Sequence, residues 1–229
     1  MKRKLMKIIL VFAVLIFFGC SNDDDYNEQV RVGFGIALED VSMPLGFSIE
    51  MDDKYYVVPV SPTNALSGME DSSRVLIYFD ELSKVNDIEG LDAYVVNVVE
   101  WDDILLKNIL DITYEIEDSL GNDPIIIQKM WVTGDFLNFK LKFWGNYKQH
   151  LVNLVKEPGE LTSEDLPIVL ELRHNDQDDM EQFLYSAYVS FKLSSIQISG
   201  LDSVSFKVSG TNYSLNSYEY NGVYNYGSN

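Results

Sequence analysis

The chain has one cysteine among its 229 residues, and that scarcity already removes several classes of protein. A disulfide framework needs pairs of cysteines, and Cys-rich zinc or iron–sulfur sites need several thiolates. Histidine is nearly as rare, with two residues. Positive charge is sparse as well: 17 Lys and Arg stand against 36 Asp and Glu, a formal net charge of −19. A surface that acidic repels nucleic acid and anionic lipid headgroups, so neither is an expected partner. There is no G-x-S-x-G elbow, H-E-x-x-H pair, phosphate-binding loop or complete G-x-G-x-x-G. Gly33-Phe34-Gly35 lies in a strand pattern, with no third glycine and no following helix. No catalytic residue, enzymatic activity or cofactor is therefore expected.

What is present begins with a targeting segment. Lys2, Arg3, Lys4 and Lys7 precede an unbroken apolar run from Ile8 to Phe18. That run is short of the ~20 residues a spanning helix needs, and no later run approaches that length. Residues 1–19 read as a secretory signal peptide, and the rest as a soluble chain. The cysteine, Cys20, follows directly after Gly19. Phe17-Phe18-Gly19 is too bulky for ordinary signal cleavage and resembles a lipobox, with Phe17 where Leu is commonest. Cys20 is then expected to be lipidated and to become the new N-terminus. Cleavage removes four cations and no acid, which takes the formal charge from −19 to −23. Ser21-Asn22-Asp23-Asp24-Asp25 reads as a solvated tether, because adjacent like charges repel and extend. The same stretch resembles the acidic export signal that sends some lipoproteins to the outer cell surface. The expected location is the outer membrane, anchored by lipid and facing outward, with residues 20–30 as tether.

Hydrophobic residues at 46% and charged residues at 23% then describe a globular chain. Val32, Phe34, Ile36 and Leu38 alternate with Arg31, Gly33, Gly35 and Ala37, the period of a strand. Four more strand patterns follow, at about 47–51, 55–60, 74–79 and 94–99, with a polar connector over 61–73. Five meandering strands in residues 31–118 fit a small OB-like barrel. Ser119 to Pro124 concentrates turn residues and marks the expected domain boundary. Six further strand patterns, at about 125–132, 136–144, 147–155, 168–174, 185–193 and 203–208, predict a β-sandwich over 119–208. Gly145-Asn146 reads as a two-residue hairpin turn within it. In the tail, 209–229, Ser, Asn, Tyr and Gly supply 17 of 21 residues, a disordered composition. Yet Asn221-Gly222 between Tyr-rich flanks is a strong hairpin signal, so 217–226 is expected to form a hairpin with a type I′ turn, added beside Ser203–Val208.

Several stretches resemble one known family. They are Ser119-Leu120-Gly121-Asn122-Asp123-Pro124-Ile125, Trp131-Val132-Thr133-Gly134-Asp135-Phe136-Leu137-Asn138, His150-Leu151-Val152-Asn153-Leu154 and Leu170-Glu171-Leu172-Arg173-His174-Asn175. Together they are similar to the motif string of NigD-like lipoproteins. The resemblance covers most of the mature chain and is densest from 119 to 191. It implies an N-terminal OB-like domain and a C-terminal β-sandwich, so the expected fold is all-β. The family takes its name from a gene in a bacteriocin locus, which implies a link to bacteriocin production or immunity and no defined chemistry.

His150 and His174 share strand parity with apolar neighbours and point to the core side. If their strands pair antiparallel with His150 facing Leu172 and His174 facing Lys148, the imidazoles lie diagonally, roughly 6–8 Å apart at Cβ. Asp176, Asp178 and Asp179 follow directly. A cation site of His150, His174 and Asp176 is one reading, and two hydrogen-bonded histidines beside a solvated acidic loop is the favoured one. No metal is expected. The 3 Trp, 14 Tyr and 12 Phe are mostly core, with surface tyrosines suited to a protein or carbohydrate partner. Three functions remain open: an anchored interaction module, an envelope hydrolase whose carboxylates converge only in the fold, and a purely structural envelope lipoprotein. An exposed aromatic patch favours the first and a pocket of converging carboxylates the second.

Overall fold

The computed structural model describes residues 30–85, 92–214 and 216–227. Cys20 and Ser21 to Asp25 lie outside the described residues. Among the described residues no helix is long and apolar enough to cross a membrane.

The first five strands are β1 (Arg31–Glu39), β2 (Phe47–Met51), β3 (Tyr56–Ser61), β4 (Arg74–Val85) and β5 (Ala93–Asp103). They close in the order β1-β2-β3-β5-β4, with β4 returning to β1 and β3 running parallel to β5. That is the connectivity of the OB barrel. The alternation in β1 decides which side faces in, and the small side does. Ala37 is fully buried, whereas Val32 is 57% exposed. A Cβ on Gly33 would press on the Met51 methyl, and one on Gly35 on Ile49. A five-stranded barrel has no room for large residues from every strand, so Ile49, Met51, Val57, Ile77, Phe79 and Val96 fill it while β1 contributes backbone. The 61–73 connector turns tightly and sends Leu66 and Met69 down to close one end.

The sandwich begins earlier than the turn-rich 119–124 stretch implies. β6 (Leu105–Asn108) and β7 (Leu110–Asp111) already belong to it. They pair parallel with β12 (Phe183–Lys192) and β10 (Leu151–Lys156), respectively. Strands of four and two residues carry no legible alternation. The remaining elements are α1 (Tyr114–Leu120), β8 (Ile126–Thr133), β9 (Phe136–Gly145), β11 (Ile168–Asn175), β13 (Ser203–Thr211) and β14 (Ser217–Asn225). One sheet has the order β6-β12-β9-β8 and the other β14-β13-β11-β10-β7. Their inner faces meet in a core of Leu137, Phe139, Leu141, Phe191, Leu170, Leu172, Val204, Phe206 and Tyr224. Gly145-Asn146 is not a hairpin turn. β9 and β10 belong to opposite sheets, and the chain changes sheet between them. The barrel rests on the outer face of the β6-β12-β9-β8 sheet, where Phe34 meets Trp131 and Tyr188 with ring centroids 5.5 Å away in each case.

The expected hairpin at Asn221-Gly222 does not form. Residues 217–225 make one continuous strand, antiparallel to β13 without a register break. Gly222 serves a different need from a turn: a Cβ there would collide with the ring of Phe206, its partner across the ladder. The tail is thus the last strand of the sandwich, extending the domain past its expected end at 208.

Candidate functional site

Two polar clusters and one apolar rim stand out. The first cluster seals the domain junction. Arg74, at the start of β4, is fully buried there. Its guanidinium grips both oxygens of Asp52, with Nη2 2.6 Å from Oδ2. Nε donates to Ser190 Oγ at 3.3 Å and Nη2 to Asn138 Oδ1 at 3.0 Å. Ser190 donates to Asn138 Oδ1 at 2.7 Å, Asn138 Nδ2 to Thr133 Oγ1 at 2.8 Å, and Thr133 to Asp52 Oδ2 at 2.5 Å. The donors run in one closed circuit through five side chains, so every buried charge and hydroxyl in it is satisfied. The Phe136 ring lies under the guanidinium, 4.3 Å from Cζ. Asp52 and Arg74 come from the barrel, and the other three come from β8, β9 and β12 of the sandwich. Beside the circuit lies a cleft of about 180 Å³ lined by Glu50, Asp52, Lys54 and Asp135, among others. Two of its three carboxylates are engaged: Asp52 holds Arg74 and Thr133, and Asp135 Oδ1 accepts from Tyr224 at 2.7 Å. Burial and that bond to Asp135 push the Tyr224 phenol up to about 12.

The second cluster contains both histidines. The β10–β11 register places Val152 opposite His174, so His150 sits just before β10 rather than facing Leu172. The imidazoles touch directly, Nδ1 of His150 lying 2.9 Å from Nε2 of His174. His174 Nδ1 lies 3.0 Å from the Pro124 carbonyl, which can only accept. Nδ1 therefore carries the proton, Nε2 accepts, and His150 Nδ1 donates to it. Asp176 is not part of this group. Its Oδ1 accepts from the Asp178 amide, and its own amide donates to Asp123. The carboxylate against His150 is Asp179, with Oδ2 3.4 Å from Nε2. Burial works to raise the Asp179 pKa, but the amides of Asn146, Lys148 and Met180, with His150, outweigh it and lower it to about 2. His174 titrates below the usual histidine range, first through burial and then through His150. Among the described residues no three His, Cys, Asp or Glu side chains gather as a metal site. The cluster ties the β9–β10 crossover to the 176–180 loop and to the 119–124 segment, where Gly121 at φ 68° lets the backbone lie against the His174 carbonyl.

Over this cluster sits the rim. Phe143 stacks on His150 at 4.7 Å, and Trp144 pairs across the ladder with Leu184. Tyr147, Met180, Phe183, Leu184 and Tyr185 are exposed at this end, Tyr147 the most at 74%. Tyr185 donates to the Asn146 carbonyl at 2.7 Å, holding the crossover in place. Neither Asp179 nor the junction circuit was expected from sequence. Asp179 lies in the acidic run after His174, three residues from the one picked. Arg74 stands at the head of an apolar strand, where a buried ion pair and a solvated strand end read alike.

A closed five-stranded OB-type barrel docked on a β-sandwich through a buried ion-pair circuit defines a class of two-domain all-β proteins. Residues 108–221 match the NigD-like C-terminal β-sandwich domain, and the chain belongs to the NigD-like family. A solved structure from Parabacteroides distasonis, named as a candidate toxin-related protein, superposes with a TM-score of 0.70 at 22% identity, covering 86% of this chain and 93% of that one. A NigD-like immunity protein of Bacteroides caccae gives 0.61 at 16%, over 86% and 97% of the two chains. A candidate lipoprotein of Bacteroides fragilis gives 0.61 at 11%, over 87% and 99%. At these identities the likeness speaks for fold. No curated protein sequence matches the chain.

Proposed function

We propose that this protein is a lipid-anchored, outward-facing interaction module of a bacterial cell envelope, that it engages a protein or carbohydrate through the aromatic rim of the sandwich, and that its role belongs to bacteriocin production or immunity. The rim carries the reading. Phe183 and Tyr185 are exposed on the Phe143 side of β12, Trp144 on the opposite face of β9 and Tyr147 at the crossover, so exposed aromatic rings surround one end of the sandwich, and large amphipathic rings of this kind contribute most to interfaces per residue. The lipobox-like end and the acidic tether support the anchor, and the Bacteroides fragilis neighbour is named as a lipoprotein candidate. The Bacteroides caccae neighbour, named an immunity protein, supports the bacteriocin link. Binding without catalysis is favoured because the cleft carboxylates nearest to convergence are occupied by Arg74, Thr133 and Tyr224.

The test is capture from solubilised envelopes with the mature chain as bait, compared with Trp144→Ala and Tyr147→Ala. A partner retained by the native chain and lost with both variants supports the rim. Retention unaffected by either, or no partner at all, overturns it. For the location, Asp23, Asp24 and Asp25 replaced by Ala should keep the anchor but lose accessibility to external protease on intact cells. Unchanged accessibility would leave the acids with the role of a tether alone.

A further inference from the structure

Sheet edges are templates for pairing with other chains, and proteins blunt them with charge, proline, bulges or shortness. The barrel is closed and has no edge. In the sandwich β7 has two residues, β6 has four, and β8 is interrupted by a bulge between Ile127 and Lys129. β14 has none of these defences. It runs nine residues in unbroken register, without proline, and its single charge, Glu219, lies 3.2 Å from Lys207.

The direction of its free groups follows from the ladder. Beyond the strand end the Tyr226 amide donates to the Asp202 carbonyl, and at the other end the Asn212 amide donates to Asn216. Both are even-numbered pairs of the same register, so the even residues of β14 bond to β13. In an antiparallel ladder the alternate residues turn their amides and carbonyls the other way. Ser217, Glu219, Asn221, Val223 and Asn225 therefore present five donors and five acceptors outward, and all five are exposed.

We propose that this edge pairs with the same edge of a second copy of the chain, antiparallel about a two-fold axis at Asn221. The pattern is self-complementary. With Asn221 facing its counterpart, Glu219 meets Val223 and Ser217 meets Asn225, so outward groups meet outward groups and no like charges are opposed. The two five-stranded sheets become one of ten strands. This does not depend on the rim, which lies at the β9–β10 crossover.

The experiment is cysteine crosslinking of the full chain in the membranes that carry it. On a two-fold axis the Asn221 Cα atoms lie about 5.5 Å apart, within disulfide range. Asn221→Cys should give a band of twice the chain mass under mild oxidation. Glu219→Cys and Val223→Cys, tagged differently and co-expressed, should crosslink to each other more than tenfold better than either to itself. Val169→Cys, equally exposed on the outer face of β11, and the native chain with Cys20 report random encounter. Asn221→Lys, which opposes two ammonium groups at the axis, should abolish pairing of the 219 and 223 variants. No dimer band above the Val169→Cys level overturns the proposal. So does a band of another mass, which would mean that a foreign strand occupies the edge.

Discussion

Replacing Arg74 by Met leaves the volume of the junction nearly intact and removes its charge. Asp52, whose side chain is 8% exposed, keeps the Thr133 hydroxyl but loses both guanidinium bonds. Ser190 and Asn138 lose a donor each. Removing one partner of a buried ion pair costs about 3–5 kcal/mol, because the remaining charge stays desolvated. With a urea slope of about 2 kcal/mol per molar, the unfolding midpoint should fall by about 2 M. Asp52→Leu alone strands Arg74 and should cost as much. The double variant Arg74→Met, Asp52→Leu has no stranded charge and should lose well under the sum, since apolar replacements of a buried pair are often neutral. Trp131, at the junction, reports the transition by fluorescence. A midpoint shift below about 0.3 M for Arg74→Met, or a double variant equal to the sum of the singles, would refute the claim that this pair is desolvated and coupled.

Acid should weaken the fold through the histidine cluster. His174 is held below its ordinary value, so below about pH 6.5 the unfolded chain takes up a proton that the folded chain resists, and stability falls with falling pH. Asp179 adds a second loss between about 3.8 and about 2. His174→Gln should flatten the first slope in urea titrations between pH 7 and 5, and an unchanged slope would contradict it. Gly222→Ala should destabilise by about 1–3 kcal/mol through overpacking against Phe206, measured as a drop in Tm; no drop would show that Phe206 yields to a Cβ there and that the position does not require glycine. Cys20→Ala should abolish metabolic lipid labelling, and labelling that persists counts against the lipobox. The mature chain should give no gel shift with DNA at micromolar protein and about 150 mM salt.

The barrel was legible because its first two strands alternate and the later ones are short runs of β-branched and aromatic residues set off by polar turns. Its inside was not: Val32 and Phe34 look like core, yet Gly33, Gly35 and Ala37 point inward, since barrel diameter is set by what the other strands bring. The crossover after Gly145 was misread because local pattern cannot say whether neighbouring strands share a sheet. Asn221-Gly222 was misread for a related reason. A glycine needed for φ > 0 and a glycine needed for lack of a Cβ look the same, and only Phe206 across the ladder distinguishes them. The histidines were placed on the correct side by parity, but their contact depends on a register that the strand lengths alone do not fix.

The motif stretches that resemble the family resolve into architecture. Thr133, Phe136 and Asn138 close the circuit around Arg74. Gly121, Asp123 and Pro124 fold over His174, and Asn175 Nδ2 donates to the Ser119 carbonyl. These residues fix how the barrel sits on the sandwich and how one end of the sandwich is sealed. A family can preserve such ties while its members bind different things, because function lies in groups grafted onto the scaffold. In this chain the ungrouped, exposed features are the rim around Trp144 and Tyr147 and the open edge of β14, and neither falls in the quoted motif stretches. Substitutions in the motifs should therefore act on stability and domain geometry, and substitutions at Trp144, Tyr147 or Asn221 on association while the fold stays intact. A Trp144→Ala chain that unfolded like Arg74→Met would place the rim with the architecture and remove that division.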